Sequence, residues 1–221
     1  MEELLAAITP HATSRTIKKG ATLLYQSEIP RYAYLVKSGL VRAYTITSSG
    51  EERIASLHTP RDVFPLSWIY GKTPSTLFYY EAVVDTEVFC IPRTRLLELI
   101  DEEPALSRHL LDFAMVEYTA LLLRITALEQ ATAAEKIALT LYYLMIRHGI
   151  EHKPGEFTID LKITQTMIAG LVGLTRESTA VNLNALKKKG VISYSHFTYR
   201  INKTALERYV GEDSFKDLAL G

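Results

Sequence analysis

From residue 104 to residue 131 the chain runs without a glycine or an internal proline, and the stretch is rich in Leu, Ala and Glu. It reads as one long helix, because the residues that break helices are missing and those present favour them. Leu111, Tyr118 and Ile125 recur every seven residues, and Ala114, Leu121 and Leu128 follow each of them by three. That spacing makes an a/d seam over nearly three heptads. Such a seam can pack on the chain's own body or on a second copy of itself. A helix this long has more surface than one small domain covers, which favours a homodimer with the seam at its interface.

Upstream of the helix the pattern has a different period. Between residues 16 and 92, Tyr, Val, Ile and Thr are frequent, and short apolar runs are cut by turn signals at Gly20, Gly39 and Gly50. Several short strands at this spacing suggest a sandwich or barrel. Residues 34–36 and 40–46 read as strands, and Ser49-Gly50 as a hairpin corner. Downstream, residues 133–148 read as a second helix with Ile137, Leu141, Leu144 and Met145 on one face, stopped at Gly149. A loop at 152–155 then leads into a short strand at 157–161. The expected division is 1–103 for a β domain, 104–132 for a dimerisation helix and 133–221 for a C-terminal domain, with no flexible linker between them.

The formal net charge of the 221-residue chain is zero, but the balance is uneven along it. Residues 1–101 carry 11 basic and 11 acidic groups, residues 102–152 carry 4 and 7, and residues 153–210 carry 9 and 4, a local excess of +5. A basic module is the footprint of a phosphate-binding domain, although a solvated face would look the same by charge alone. No run approaches the roughly 20 apolar residues that cross a bilayer, and the N-terminus lacks the basic start of a signal peptide. A cytoplasmic location and no membrane partner are expected. The single cysteine, Cys90, cannot form an internal disulfide and no Cys/His group has zinc-site spacing, so no metal and no cofactor are expected. Cys90 reads as a small buried hydrophobe.

The strongest functional signal runs from Ile163 to Gly190. Thr164 can cap a short helix whose inward residues are Ile168, Ala169 and Val172, and small Ala169 lets a second helix approach. Gly173 supplies the turn, where positive φ is easiest for glycine. Thr175 then caps a second helix that runs to Lys187-Lys188-Lys189 and stops at Gly190. On a helical wheel Thr179, Leu183 and Leu186 form the inner face, with Glu177, Val181, Asn184 and Lys188 opposite. That stripe suits a major groove. Arg176 can donate twice to a guanine, Glu177 can accept from a cytosine amino group, Val181 can pack on a thymine methyl, and Asn184 completes the base-reading set. Thr164, Gln165, Thr175, Ser178 and Lys188 are placed for phosphates. Residues 191–194 and 198–201 read as strands around Ser195-His196-Phe197, a wing whose Ser195 and His196 can also touch phosphates. Two helices around a glycine turn can equally be a structural pair. The wing that follows favours double-stranded DNA as the partner.

In this order of parts, and above all in Val172-Gly173-Leu174-Thr175-Arg176-Glu177-Ser178, the chain resembles the CRP/FNR superfamily of bacterial transcription regulators over nearly its whole length. The resemblance implies an α+β fold: an N-terminal antiparallel, jelly-roll-like β-roll sensor domain, a long dimerisation helix and a C-terminal winged helix-turn-helix. It implies base reading by Arg176 and Glu177, with RNA polymerase as a further partner. Val181 stands where the family usually has arginine, which implies a different operator, and Thr179 and Asn182 replace residues that are usually apolar. Pro65 and Leu66 stand where Gly and Glu would hold the ribose of a cyclic nucleotide, and Thr76 and Leu77 where an Arg-Ser or Arg-Thr pair would hold its phosphate. A buried phosphate without such donors is poorly compensated, so cyclic AMP is not the expected effector. One cysteine cannot supply the about four thiolates of an iron–sulfur cluster. His58 reads as an ordinary core or surface histidine rather than a haem ligand. The aromatic-rich stretch leaves two readings. It fills a small core, or Phe64, Leu66, Trp68, Thr76 and Phe78, with Tyr118 and Leu122 of the long helix, line an apolar pocket for an unidentified small-molecule effector.

Two rival functions fall away on the residues. A barrel enzyme of the cupin type gathers histidines and a carboxylate around a metal, whereas His58 stands alone among residues 16–92. No nucleophile elbow, phosphate loop or HExxH motif is present either, and an enzyme is not expected. A dimeric β-roll adaptor or small-ligand-binding protein without DNA binding would not need the basic excess or the stripe from Arg176 to Lys188. The expectation is a homodimer on a palindromic operator with half-sites roughly 34 Å apart.

Overall fold

A computed structural model of the chain describes residues 7–211. They fall into two compact units divided between Met115 and Val116, inside the long helix. Among the described residues no helix is long and apolar enough to cross a membrane.

In the first unit a short 3-10 turn, Thr9–His11, precedes strands β1 Thr13–Ile17, β2 Thr22–Leu24, β3 Ala33–Ser38, β4 Val41–Ile46, β5 Glu52–His58 and β6 Val63–Phe64. Helix α1 Leu66–Ile69, strands β7 Tyr79–Ala82 and β8 Thr86–Ile91, and helix α2 Arg93–Glu102 follow. The strands form two antiparallel four-stranded sheets, ordered β1-β8-β3-β6 and β2-β7-β4-β5. Both sheets feed one core, to which Leu24, Tyr34, Val36, Val41, Ala43, Phe64, Tyr80 and Cys90 contribute. The alternate residues of the first sheet, Ala33, Leu35, Val63 and Ile91, enter a second core with Trp68, Ile69, Leu96 and Leu99. Leu106, Leu110 and Phe113, from the start of α3 Pro104–Glu129, complete it. Strand β3 is apolar without alternation over its first four residues because both of its faces are covered. At the β3–β4 corner Gly39 has φ +95°, and a Cβ there would lie 2.7 Å from Thr86 Cα, so the two strands turn only around glycine.

The second unit holds the later half of α3, then α4 Ala133–His148, β9 Ile150–Lys153, β10 Glu156–Ile159, α5 Gln165–Val172, α6 Arg176–Lys188, β11 Ile192–Ser195, β12 Thr198–Asn202 and α7 Lys203–Val210. Thr132 starts α4 with a capping box, its side chain accepting from the Glu135 N–H while the Glu135 carboxylate accepts from Thr132 N–H. Residues from Ile137 to Met145 are buried, and α4 packs against α5, α6, α7 and β10. The antiparallel sheet is ordered β11-β12-β10-β9. The long helix ends at Glu129, two residues short of expectation, and α4 starts where the sequence puts it. His152 and Lys153 belong to a strand instead of the expected loop, and β10 begins one residue early and ends at Ile159. All four side chains of β9 are exposed, so no apolar alternation marks it in the sequence.

Candidate nucleic-acid interface

The interface is built from two caps and one turn. Thr164 Oγ1 accepts from the Met167 N–H at 3.1 Å and starts α5. Met167, Ile168, Ala169, Leu171 and Val172 are buried, and Gly173 ends the helix with φ 70° in the left-handed region. Thr175 Oγ1 then accepts from the Ser178 N–H at 3.1 Å and starts α6. Both cap hydroxyls spend an acceptor and keep their O–H to donate elsewhere. Gln165 and Ser178 are half-buried in the first turns of their helices.

Helix α6 has two opposed faces. Thr179, Leu183 and Leu186 are fully buried. Arg176, Glu177, Asn184 and Lys188 are exposed, and Val181 is 68% exposed. The two polar replacements behind the helix are satisfied within it: the Thr179 hydroxyl donates to Thr175 O at 2.9 Å and Asn182 Nδ2 donates to Ser178 O at 2.8 Å. A buried threonine with its hydroxyl paired in this way avoids the cost of an unsatisfied polar group.

At the far end of α6, Lys187 Nζ lies 5.1 Å from the centre of the Tyr194 ring and Lys189 Nζ 4.5 Å from that of Tyr209, while Lys188 is exposed. The wing turn carries His196 in the left-handed region at φ 53°, with Ser195 Oγ 3.2 Å from its Nδ1. At the foot of the wing Asp160 accepts from the Thr198 hydroxyl at 3.0 Å and pairs with Lys162 at 3.1 Å, and those contacts lower the carboxyl's pKa. Two residues of the wing that the sequence places there without a site role stand at the interface. Phe197 is an exposed aromatic at the wing tip, and Tyr194 donates a hydrogen bond to Asn184 Oδ1 at 2.7 Å. The alternation of β11 signals the half-buried Tyr194, but its pairing with Asn184 depends on how the wing meets α6.

On α3 the seam residues Leu111, Tyr118, Leu121, Ile125 and Leu128 are 39 to 60% exposed, and Ala114 is half-buried. Met115 and Leu122 are exposed beside them, while Ala120, Leu123 and Ala127 are buried. Of the residues named for an effector pocket, Phe64, Leu66, Trp68 and Phe78 are divided between the two cores of the first unit. Phe64 lies in a stacked aromatic row, with ring centres 5.6 Å from Tyr34, 5.0 Å from Tyr80 and 4.8 Å from His58. Phe78 packs against that same core, whereas Leu66 and Trp68 pack in the other. Thr76 is buried and its hydroxyl donates to Tyr25 O at 2.6 Å. Tyr118 and Leu122 are exposed members of the α3 stripe.

Residues 14–103 match the cyclic nucleotide-binding domain family, and residues 135–209 match the Crp-like helix-turn-helix domain family. A probable transcriptional activator of Rhizobium leguminosarum bv. viciae is 27% identical over 208 residues, which cover 93% of this chain and 85% of the relative. The fumarate and nitrate reduction regulatory protein of Escherichia coli is 28% identical over 182 residues, 81% of this chain and 70% of that protein. Among solved structures, FixK2 from Bradyrhizobium japonicum superimposes with a TM-score of 0.75 at 26% identity, over 89% of this chain and 96% of that one. A CooA mutant from Carboxydothermus hydrogenoformans has a TM-score of 0.77 at 23% identity, over 94% of each chain, a likeness of fold.

Proposed function

We propose that this chain, which belongs to the CRP/FNR family of DNA-binding transcription regulators, acts as a cytoplasmic homodimer on a palindromic operator. The observation that carries the reading is the division of α6: Thr179, Leu183 and Leu186 are sealed in the core, while Arg176, Glu177, Val181 and Lys188 stand in water along the opposite side. A valine so exposed is idle on a solvated face and useful against a thymine methyl. Arg176 reads guanine with two donors, Glu177 accepts from cytosine, and Val181 takes the methyl. Thr164, Gln165, Thr175, Ser178, Lys188, Ser195 and His196 set the register through phosphates.

Pairing through the exposed α3 stripe gives two-fold symmetry, which puts the two reading helices in successive major grooves with half-sites roughly 34 Å apart. In this division residues 1–103 sense, 104–132 dimerise and 133–221 read DNA. RNA polymerase is the expected protein partner at a promoter. The effector is a small molecule other than cyclic AMP. Two observations favour this. The Thr76 hydroxyl is already committed to Tyr25 O, and Leu77 beside it is exposed and apolar. Neither is a donor set for a phosphate.

Selection of bound sequences from random duplex DNA tests function, symmetry and spacing together. The expected result is a palindrome whose affinity falls steeply with salt, as counterions are released from contacted phosphates. A chain that enriches no sequence and shows no salt-dependent binding is not a DNA regulator.

A further inference from the structure

We infer that Tyr194, on wing strand β11, sets which base Asn184 of the reading helix recognises, an inference that rests on the DNA-reading function just proposed. The Tyr194 hydroxyl donates to Asn184 Oδ1 at 2.7 Å. The Tyr194 ring is held from two directions. Its centre lies 5.6 Å from that of buried Tyr199 on β12, and Lys187 Nζ, from α6 itself, sits 5.1 Å from it. Turning the ring away would give up the packing and the cation–π contact together, so the hydroxyl stays aimed at Asn184.

A carboxamide has one accepting end and one donating end. With Oδ1 held toward Tyr194, the amide of the exposed Asn184 is oriented so that the two N–H groups of Nδ2 are the end left for a groove. The two-point grip of asparagine on adenine needs Oδ1 to accept from N6 while Nδ2 donates to N7, and Tyr194 disfavours its first half by using one of the two Oδ1 lone pairs and holding that oxygen toward the wing strand. A side chain that leads with its donors instead matches an edge made of acceptors, and guanine presents N7 and O6 side by side. Asn184 lies three residues beyond Val181 on the same exposed stripe, which in the docking proposed above sets it against a base pair of the same half-site. Tyr194 is a positioning residue: it touches no base and acts through the amide it orients.

The test is selection from random duplex DNA with the full chain, Tyr194→Phe, Asn184→Ala and the double variant. Tyr194→Phe keeps the ring and its packing, and it is expected to move one base pair per half-site from guanine toward adenine by about tenfold. The positions read by Arg176, Glu177 and Val181 should stay as they are. Asn184→Ala is expected to erase the preference at that same base pair, and adding Tyr194→Phe to it should change nothing more. A merely structural role for Tyr194 would lower affinity evenly for all sequences and leave the selected base unaltered, which overturns the inference. So does a wild-type chain that already selects adenine there, or an Asn184→Ala chain with an unchanged site. A wild-type chain that enriches no sequence overturns the DNA-reading function itself.

Discussion

Tyr199 carries a hydroxyl that is buried without a hydrogen-bond partner among the described residues. Leaving such a group unpaired costs about 1–3 kcal/mol, so Tyr199→Phe is expected to raise the melting temperature at neutral pH. Burial also pushes the phenol's pKa from its ordinary 10.0 up to about 12. The folded chain therefore holds this proton more tightly than the unfolded one does. The contribution is complete below pH of about 10 and is lost as pH climbs through about 12. Melts at neutral pH and near pH 11 check both points: the variant should be the more stable at each, with the larger margin in alkali. A variant less stable than the parent at neutral pH would mean that the hydroxyl is paired. On the reading helix, Arg176→Ala is expected to cost about 1–3 kcal/mol on the selected operator and to relax one base pair. Competition gel shifts would instead expose a phosphate contact if the loss were uniform over unrelated sequences. The position of Arg176 was legible because caps and helical phase are local arithmetic. The Asn184–Tyr194 bond was not, because it joins a helix to a strand whose register no local pattern states.

Elements show the same contrast between local and tertiary information. Helices α3 and α4 were legible almost to their ends, since breakers and caps bound them, whereas β9 exposes every side chain and left no trace. The inner side of α3 holds a contact that only the fold reveals. Arg124 is buried, its guanidinium donates to Leu171 O at 3.2 Å, and it lies 5.9 Å from the Tyr143 ring centre. Leu171 is in the last turn of α5, where carbonyls have no partner within the helix and a cation is favoured. Glu117, seven residues earlier on α3, meets Arg147 of α4 at 2.9 Å. The later half of α3 is thus fastened to both α5 and α4, and the Arg124 contact comes just before the Gly173 turn that aims α6. Arg124→Ala removes that cap from a buried carbonyl, and about 1–3 kcal/mol of stability with it. The expected outcome is a lower melting temperature and weaker operator binding, with dimerisation and the selected sequence intact. Sedimentation and repeated selection check this; a changed consensus would mean that Arg124 acts on base choice.

The whole molecule depends on what covers the outer side of α3, which a single chain leaves bare. Leu111, Met115, Tyr118, Leu121, Leu122, Ile125 and Leu128 are exposed in the single chain, and each has another of them three or four residues away, which keeps them on one broad stripe. Monomeric proteins seldom expose an apolar patch beyond a few hundred Å², and a two-fold axis would let the stripe cover itself. Charge placed there is doubled by the symmetry, so Leu121→Glu with Ile125→Glu is expected to give a monomer in sedimentation. Its circular dichroism should match that of the parent, because neither side chain is part of either unit's core. Each half-site then binds alone, without the effective concentration that linkage supplies, and operator affinity should fall by about 10²- to 10⁴-fold. The residual binding should follow salt with a shallower slope, since one reading head contacts fewer phosphates than two. If the doubly charged chain still sediments as a dimer, the stripe is not the interface. The half-site spacing would then have to be derived from whichever face does pair.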